Sequence, residues 1–150
     1  MDIIVRQLSK SFLAGHIVQF IGIIENIPGE YWSESHFLSE LPGKFLYSCY
    51  AAEAKGDISG YIIASQPEKG HLHIHKFMVA EPLRGKRIGE KMLEFFEKNA
   101  LENNQNKITL KVGENNEGAI RFYKRLGFEV EGRSIDSVTS DGLLKMKKSI

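Results

Sequence analysis

The feature that most constrains the fold is the segment 71–112, in which strand-like, turn-like, helix-like and strand-like stretches follow one another. Residues 71–80 (HLHIHKFMVA) and 107–112 (KITLKV) are typical of strands. Between them an apolar stripe at helical spacing comprises Ile88, Met92, Leu93, Phe95, Phe96 and Ala100. This order predicts a β-α-β unit in the second half of the chain.

The remaining segments predict an antiparallel meander before this unit and a second helix with two strands after it. Strands are expected at 3–8, 44–54, 58–65, 128–135 and 143–148, and helices at 12–24, 33–41 and 115–127. The predicted order is therefore β-α-α-β-β-β-α-β-α-β-β. We expect a mixed α/β fold with a mainly antiparallel central sheet flanked by helices, as one domain over residues 1–150.

The composition narrows the classes of protein to consider. The chain has 150 residues, a hydrophobic fraction of 42% and a formal net charge of +1. A dedicated nucleic-acid binder usually carries a marked basic excess, so we expect no nucleic-acid partner. The single cysteine, Cys49, excludes an intramolecular disulfide and fits a reducing compartment.

The apolar stretch 12–24 resembles a targeting or membrane segment only loosely. It is too short to span a bilayer, His16 and Gln19 interrupt it, and no small-x-small cleavage site follows. Its apolar residues fall at helical spacing: Ile17, Phe20, Ile21 and Ile24. We therefore expect an amphipathic helix against the core, no membrane association and a cytoplasmic protein.

The turn before the central helix concentrates positive charge and small residues. Gly85 and Gly89 bracket Lys86 and Arg87, and Arg84 precedes them. A helix N-terminus exposes unpaired N–H groups, glycines admit a ligand close to the backbone, and cations add formal charge. The segment predicts an anion site suited to phosphate. Taken alone, an ordinary turn with solvated cations explains it equally well.

Two motifs together carry a resemblance to a known family. Residues 77–93 (FMVAEPLRGKRIGEKML) resemble the acetyl-CoA-binding core of the GNAT acyltransferases, in which Gln/Arg-x-x-Gly-x-Gly/Ala opens a helix. Residues 115–132 (NNEGAIRFYKRLGFEVEG) resemble the next motif, Asn-x-x-Ala followed by Tyr and Leu-Gly-Phe. The spacing and the surrounding order of elements also match. One departure is Arg87, which occupies the first glycine position of the core motif.

The resemblance implies acetyl-CoA as co-substrate and an amine of a small molecule or peptide N-terminus as acceptor. It implies that the backbone of residues 77–79 pairs with the pantetheine arm, that the backbone of 84–90 holds the pyrophosphate, and that Asn116 bonds the arm or the acetyl end. Tyr123 would lie near the thioester sulfur and act as general acid. The residues assigned to cofactor binding are Phe77, Met78, Val79, Arg84, Gly85, Lys86, Arg87, Ile88, Gly89, Glu90, Asn116 and Tyr123. A homodimer is left open.

The general base is sought among His71, His73 and His75, which alternate on one face of the strand 71–80. Some members of the family carry a carboxylate base on this strand, and His73 aligns best with it. We take His73 as the candidate, although alternating histidines also suit the polar side of a half-buried strand. Neighbours two residues apart diverge and no cysteine or carboxylate partner is near, so we expect no metal.

Residues 31–41 faintly resemble the ribosomal-protein N-terminal alanine acetyltransferases. Those enzymes carry a catalytic glutamate where this chain has Lys111, which argues against the same chemistry. In the family, the loop containing Glu25, Glu30 and Trp32 faces the acceptor. A ribosomal-protein N-terminal acetyltransferase, a non-catalytic CoA-binding regulator and a protein-interaction module remain as alternatives. The presence of Asn116 and Tyr123 favours an enzyme.

Overall fold

The computed structural model describes residues 2–25, 27 and 30–150, and contains one seven-stranded sheet. The strands are β1 (Ile3–Gln7), β2 (Cys49–Glu53), β3 (Ile58–Glu68), β4 (His71–Val79), β5 (Lys107–Gly113), β6 (Glu129–Ile135) and β7 (Gly142–Ser149). The helices are α1 (Lys10–Gly15), α2 (Ile17–Ile24), α3 (Glu34–Leu38), α4 (Lys44–Tyr47), α5 (Ile88–Glu102) and α6 (Glu117–Arg125).

The sheet order is β1-β2-β3-β4-β5-β7-β6, and β4 and β5 are its parallel pair. The other neighbouring pairs are antiparallel. The parallel pair follows from the connection through α5, because parallel strands require a crossover that a helix supplies. The predicted fold class, a mixed and mainly antiparallel sheet flanked by helices, is confirmed.

Each face of the sheet carries its own apolar core. On one face α5 buries Ile88, Met92 and Phe96 against β3, β4 and β5. On the other face α1, α2 and α3 cover β2 and β3, where Phe20 and Tyr61 are fully buried. Helices on both faces leave the sheet's central strands between two layers of packed side chains.

A β-bulge in β4 separates the second half of this strand from β5. The register between β3 and β4 shifts between Ile63 and Ala64, so that His75 is an extra residue on β4. Pairing of β4 with β5 covers His71–Ile74 against Lys107–Leu110 and ends there. Beyond that point β4 continues beside β3, and β5 continues beside β7. The two strands therefore enclose a V-shaped opening.

Two sequence predictions of local structure were wrong. The strand predicted over 44–54 begins at Cys49, because Gly43, with φ +72°, starts the short helix α4. The Lys44 ammonium there donates to the carbonyls of Phe37, at 2.5 Å, and Ser39, at 2.8 Å, at the end of α3. The helix predicted over 12–24 divides into α1 and α2 at His16, whose backbone leaves the helical range with φ −123° and ψ 20°.

Among the residues that the structure describes, every helix falls short of the length and apolar character that crossing a bilayer requires. That residues 1–150 form one domain stays a prediction.

We predict that Gly60→Ala destabilises the protein by about 1–3 kcal/mol. A Cβ at Gly60 would lie 2.5 Å from the Met78 carbonyl oxygen, in the strand that forms one wall of the opening. Urea denaturation measures the loss. The matched control is Gly22→Ala in α2, where a Cβ meets no described atom within 4 Å, and which we expect to gain about 0.5–1 kcal/mol. Equal stability of the two variants would contradict the β3–β4 packing.

Candidate active site

The opening between β4 and β5 is a cleft of about 1390 Å³ that runs from the start of α5 to the loop before α3. One wall is the second half of β4, and the other is the second half of β5 with the first turns of α6. A cleft of this size can hold an extended cofactor together with a second small ligand.

The β4 wall presents backbone groups that are not paired with another strand. The Ala80 N–H donates to the Ser59 carbonyl at 2.8 Å, so in the antiparallel alternation Phe77 and Val79 direct their N–H and C=O groups away from β3 and into the cleft. The Arg84 guanidinium donates to the Val79 carbonyl at 3.2 Å. An extended polar ligand can bond to this edge as an added strand does.

At one end of the cleft, the turn before α5 exposes the helix N-terminus. Gly85 and Arg87 adopt left-handed conformations with φ +81° and +63°, and no side chain caps α5. The first helical bond runs from the Lys91 N–H to the Arg87 carbonyl, which leaves the N–H groups of residues 88–90 without intrahelical partners. The arrangement favours an anion.

Gly89 has a packing role that the sequence did not show. A Cβ there would lie 3.0 Å from Cζ of Phe122 and 3.4 Å from Cε1 of Phe77. Absence of a side chain lets α5 approach the aromatic rings of α6 and β4. Gly85 differs, because its Cβ would meet no described atom within 4 Å.

Asn116 begins α6. Its side-chain oxygen accepts a hydrogen bond from the Ala119 N–H at 3.2 Å, which is an ordinary N-cap interaction. Since Oδ1 is engaged, the amide Nδ2 is the group that can donate to a ligand. Asn116 lines the cleft, as the sequence predicted for a cofactor contact.

Tyr123 also lines the cleft and is held in an aromatic cluster. Its ring lies edge-on to Phe77, Phe122 and Phe128, at centroid distances of 5.8, 5.5 and 5.7 Å. Burial raises the pKa of Tyr123, and the negative charge of Glu30 raises this pKa further. The hydroxyl therefore stays protonated at neutral pH and can donate a hydrogen bond.

The other end of the cleft is polar on the face opposite α5. Lys76 forms an ion pair with Glu30, and its ammonium lies 5.3 Å from the centre of the Trp32 ring. His75 hydrogen-bonds Ser65 at 2.7 Å. Of these, Glu30 and Trp32 were expected near the acceptor. The sequence did not identify Lys76 or the wall position of His75, because both follow from the bulge.

Comparison with known proteins identifies the family to which the chain belongs. The model of the acetyltransferase (GNAT) family matches residues 18–128. The chain belongs to the GNAT family. The 5-NmdU N-acetyltransferase of Pseudomonas phage PaMx11 is 32% identical over 87 residues, which are 57% of this chain and 60% of the relative. The chain thus matches about 60% of the length of this curated relative.

Solved structures of similar fold agree with this membership. Ard1 from Thermoplasma volcanium is 22% identical, with a TM-score of 0.86 and coverage of 100% of this chain and 99% of that one. The NatC complex bound to Gag peptide and CoA is 18% identical, with a TM-score of 0.85 and coverage of 100% and 99%. At these identities the likeness concerns the fold.

In this GNAT chain the candidate base His73 lies away from the cleft wall. Its Nδ1 is 2.7 Å from the Thr109 hydroxyl, which also lies 2.6 Å from Nε2 of His71. Burial, followed by the positive charge of neighbouring groups, lowers the pKa of His73 to about 4. Within the described ranges, no three His, Cys, Asp or Glu side chains gather as metal ligands. His71 and His73 instead both lie within hydrogen-bond distance of the Thr109 hydroxyl.

The departure from the GNAT motif at Arg87 has a conformational cost. The turn requires a left-handed residue, which disfavours any side chain by about 1–2 kcal/mol. The exposed Arg87 side chain offsets little of this cost, since its ion pair with Glu90 is long, at 3.9 Å.

We predict that Arg87→Gly stabilises the protein by about 1 kcal/mol, because glycine adopts φ +63° without strain. Thermal or urea denaturation measures the gain. Asn104→Gly is the matched control, since Asn104 has φ +61° but asparagine tolerates that conformation, so its gain should be smaller. A destabilised Arg87→Gly variant would show that the turn is not left-handed at this residue.

Proposed function

We propose that the protein is an acetyl-CoA-dependent N-acetyltransferase that transfers acetyl to a primary amine by direct attack. The acceptor is a small molecule or a peptide N-terminus. The observation that carries the proposal is one cleft that joins an uncapped helix N-terminus, an unpaired strand edge and a protonated tyrosine. These are the groups needed to hold a pyrophosphate, an amide-bearing arm and a leaving sulfur.

The residues present fit the co-substrate. The backbone of residues 84–90, with the cations of Arg84 and Lys86, would hold the pyrophosphate. The edge formed by Phe77 and Val79 would bond the pantetheine amides, and Asn116 would donate to the arm or to the acetyl end. A protein of the same fold, the NatC complex, has been solved with CoA bound. The family and this geometry support acetyl-CoA over an unrelated anion.

The co-substrate supplies an acetyl thioester when bound, and the protein supplies protonation and positioning. The acceptor amine must lose its proton to attack, since a free alkylamine has a pKa of roughly 10. The Tyr123 hydroxyl would donate to the sulfur as negative charge develops there. Because the pKa of Tyr123 is raised above that of an ordinary phenol, this donation acts mainly as a hydrogen bond to the developing thiolate.

Direct attack is favoured over a covalent acetyl-cysteine. The single cysteine, Cys49, is fully buried in the core, and burial raises the pKa of its thiol to about 12. A thiol in that state is a poor nucleophile and lies outside the cleft lining.

The assignment of His73 as general base stays a prediction. A pKa of about 4 means that its ring is uncharged at neutral pH but only weakly basic, which disfavours transfer of a proton from an ammonium group to His73.

We predict that CoA raises the melting temperature, and that Lys86→Glu weakens CoA binding roughly tenfold or more in Kd. The substitution turns an attraction for the pyrophosphate into a repulsion, and the loss should shrink as salt is raised. Calorimetric titration with CoA at two salt concentrations measures both effects.

The matched control is Lys69→Glu, an exposed charge reversal in the β3–β4 turn, at the far end of β4 from this site. It should leave the affinity for CoA close to that of the wild type. Equal losses in the two variants would assign the effect to net charge and place the pyrophosphate elsewhere.

We predict that Tyr123→Phe lowers kcat by roughly 10²–10³, the loss typical of removing one hydrogen-bond donor to a developing negative charge, with little change in CoA affinity. The ring contacts with Phe77, Phe122 and Phe128 remain in this variant, so stability should hold. Release of free thiol from acetyl-CoA with an amine acceptor measures turnover. A variant with near-wild-type kcat would leave Tyr123 as a packing residue.

Thiol release also separates the enzyme from a non-catalytic CoA-binding regulator. If CoA raises the melting temperature and no member of a broad amine and peptide panel is acetylated, the protein binds the cofactor without transferring its acetyl group.

A further inference from the structure

On the sheet face opposite α5, two lysines stand directly across from each other at the vertex of the cleft. Lys111 is the first residue of β5 beyond the β4 pairing, and it lines the cleft. Its cross-strand partner is Lys145 of β7, so both side chains emerge on the same face. Like charges directly opposite each other destabilise a sheet, so a bound anion would stabilise this pair of lysines.

Neighbouring carboxylates do not neutralise this pair. The Glu131 carboxylate lies 3.4 Å from the Lys107 ammonium and 3.8 Å from the Lys145 ammonium. One negative charge is therefore shared between two positive charges. Lys111 is exposed, and none of the ion pairs among the described residues includes it. One positive charge at the cleft wall is therefore left for a ligand.

The Glu30–Lys76 pair and His75, which lie at the Lys111 end of the cleft, add no net charge there. Glu30 and Lys76 form an ion pair and cancel each other. Burial, with the positive charge of Lys44 and Lys76, lowers the pKa of His75, so its ring is uncharged at neutral pH.

Three acidic residues of the cleft lie near the β6–β7 connection, Glu114, Asp136 and Asp141, and the side chains of the first two have protein partners. Glu114 holds Arg133 through two bonds of 2.6 and 3.0 Å. Asp136 accepts from the N–H groups of Val138 and Thr139 at 2.8 and 3.2 Å.

We propose that the acceptor is an amine that also carries an anionic group, a carboxylate or a phosphate, which binds Lys111, beside Lys145, while the amine lies near Tyr123. The inference rests on the proposed acetyltransferase function and names its substrate class. A simple ammonium would be repelled by these lysines, whereas an anion on the same molecule offsets the repulsion. The same positive charge lowers the pKa of the bound amine and favours its reactive neutral form.

Matched acceptors test this proposal. Peptides with Asp at the second position are compared with Asn peptides, linear ω-amino acids with their amides, and aminoalkyl phosphates with amino alcohols. We expect the anionic member of at least one pair to have a kcat/KM roughly tenfold or more above its neutral counterpart, as befits a charged hydrogen bond. The pair that shows the preference distinguishes a carboxylate from a phosphate.

Two lysine variants test which residue causes the preference for anionic acceptors. Lys111→Gln should bring the anionic-to-neutral ratio close to one, through KM more than kcat. The matched control is Lys147→Gln on the same face of β7, where the lysine lies 3.8 Å from Glu129 and outside the cleft lining, and the ratio should persist.

Three results would overturn the inference. Acetylation of neutral members at equal or better rates in every pair refutes it while leaving the acetyltransferase function intact. A ratio unchanged by Lys111→Gln, or lowered equally by Lys147→Gln, refutes the assigned site. Binding of CoA without acetylation of any member refutes the proposed function, and the inference falls with it.

Discussion

The extra residue at His75 in β4 is the constraint on which the site depends. Without the bulge, β4 and β5 would remain hydrogen-bonded along their length and the backbone of Phe77 and Val79 would face a strand. With it, the strand edge that a sheet normally satisfies internally is open to a ligand. The sheet remains continuous because β4 and β5 still pair over His71–Ile74 and Lys107–Leu110, while β3 and β7 pair with their outer edges. The same bulge brings His75 and Lys76 to the cleft wall.

The cleft has two sides of different chemistry because the sheet divides them. On the α5 side, a helix N-terminus and the aromatic cluster around Tyr123 suit a long anionic cofactor and its leaving sulfur. On the opposite side, the Glu30–Lys76 ion pair is internally neutralised and Lys111 presents a positive charge, which suits the acceptor that we propose. The negative charge of Glu30 acts across the cleft on Tyr123, so the two sides are electrostatically connected.

The sequence predicted the parts of the fold that local patterns determine. The apolar stripe of α5 and the β-α-β unit formed by β4, α5 and β5 were both confirmed. The strand predicted over 44–54 failed because a short apolar run suits either a strand or a helix, and Gly43 with the buried Lys44 decides for the helix.

The candidate site was predicted less completely, because its geometry depends on tertiary register. The motif residues Asn116 and Tyr123 do line one cleft, although their roles stay predictions. Lys76 forms an ion pair with Glu30, which is 46 positions away in the sequence, and a local sequence pattern does not predict such a contact. The position of His73 off the cleft wall follows from the bulge two residues later. Glycine at position 89 was interpreted as room for a ligand, whereas packing against Phe122 also requires it.

The most direct measurement of the central claim is amide hydrogen exchange, resolved by residue, with and without CoA. In the free protein we expect the N–H groups of Phe77 and Val79 to exchange much faster than that of Met78, because Met78 bonds to β3 whereas Phe77 and Val79 face the cleft. Addition of CoA should slow exchange at Phe77 and Val79 and at residues 88–90. Amides of Phe77 and Val79 already protected in the free protein, or unaffected by bound CoA, would contradict the account.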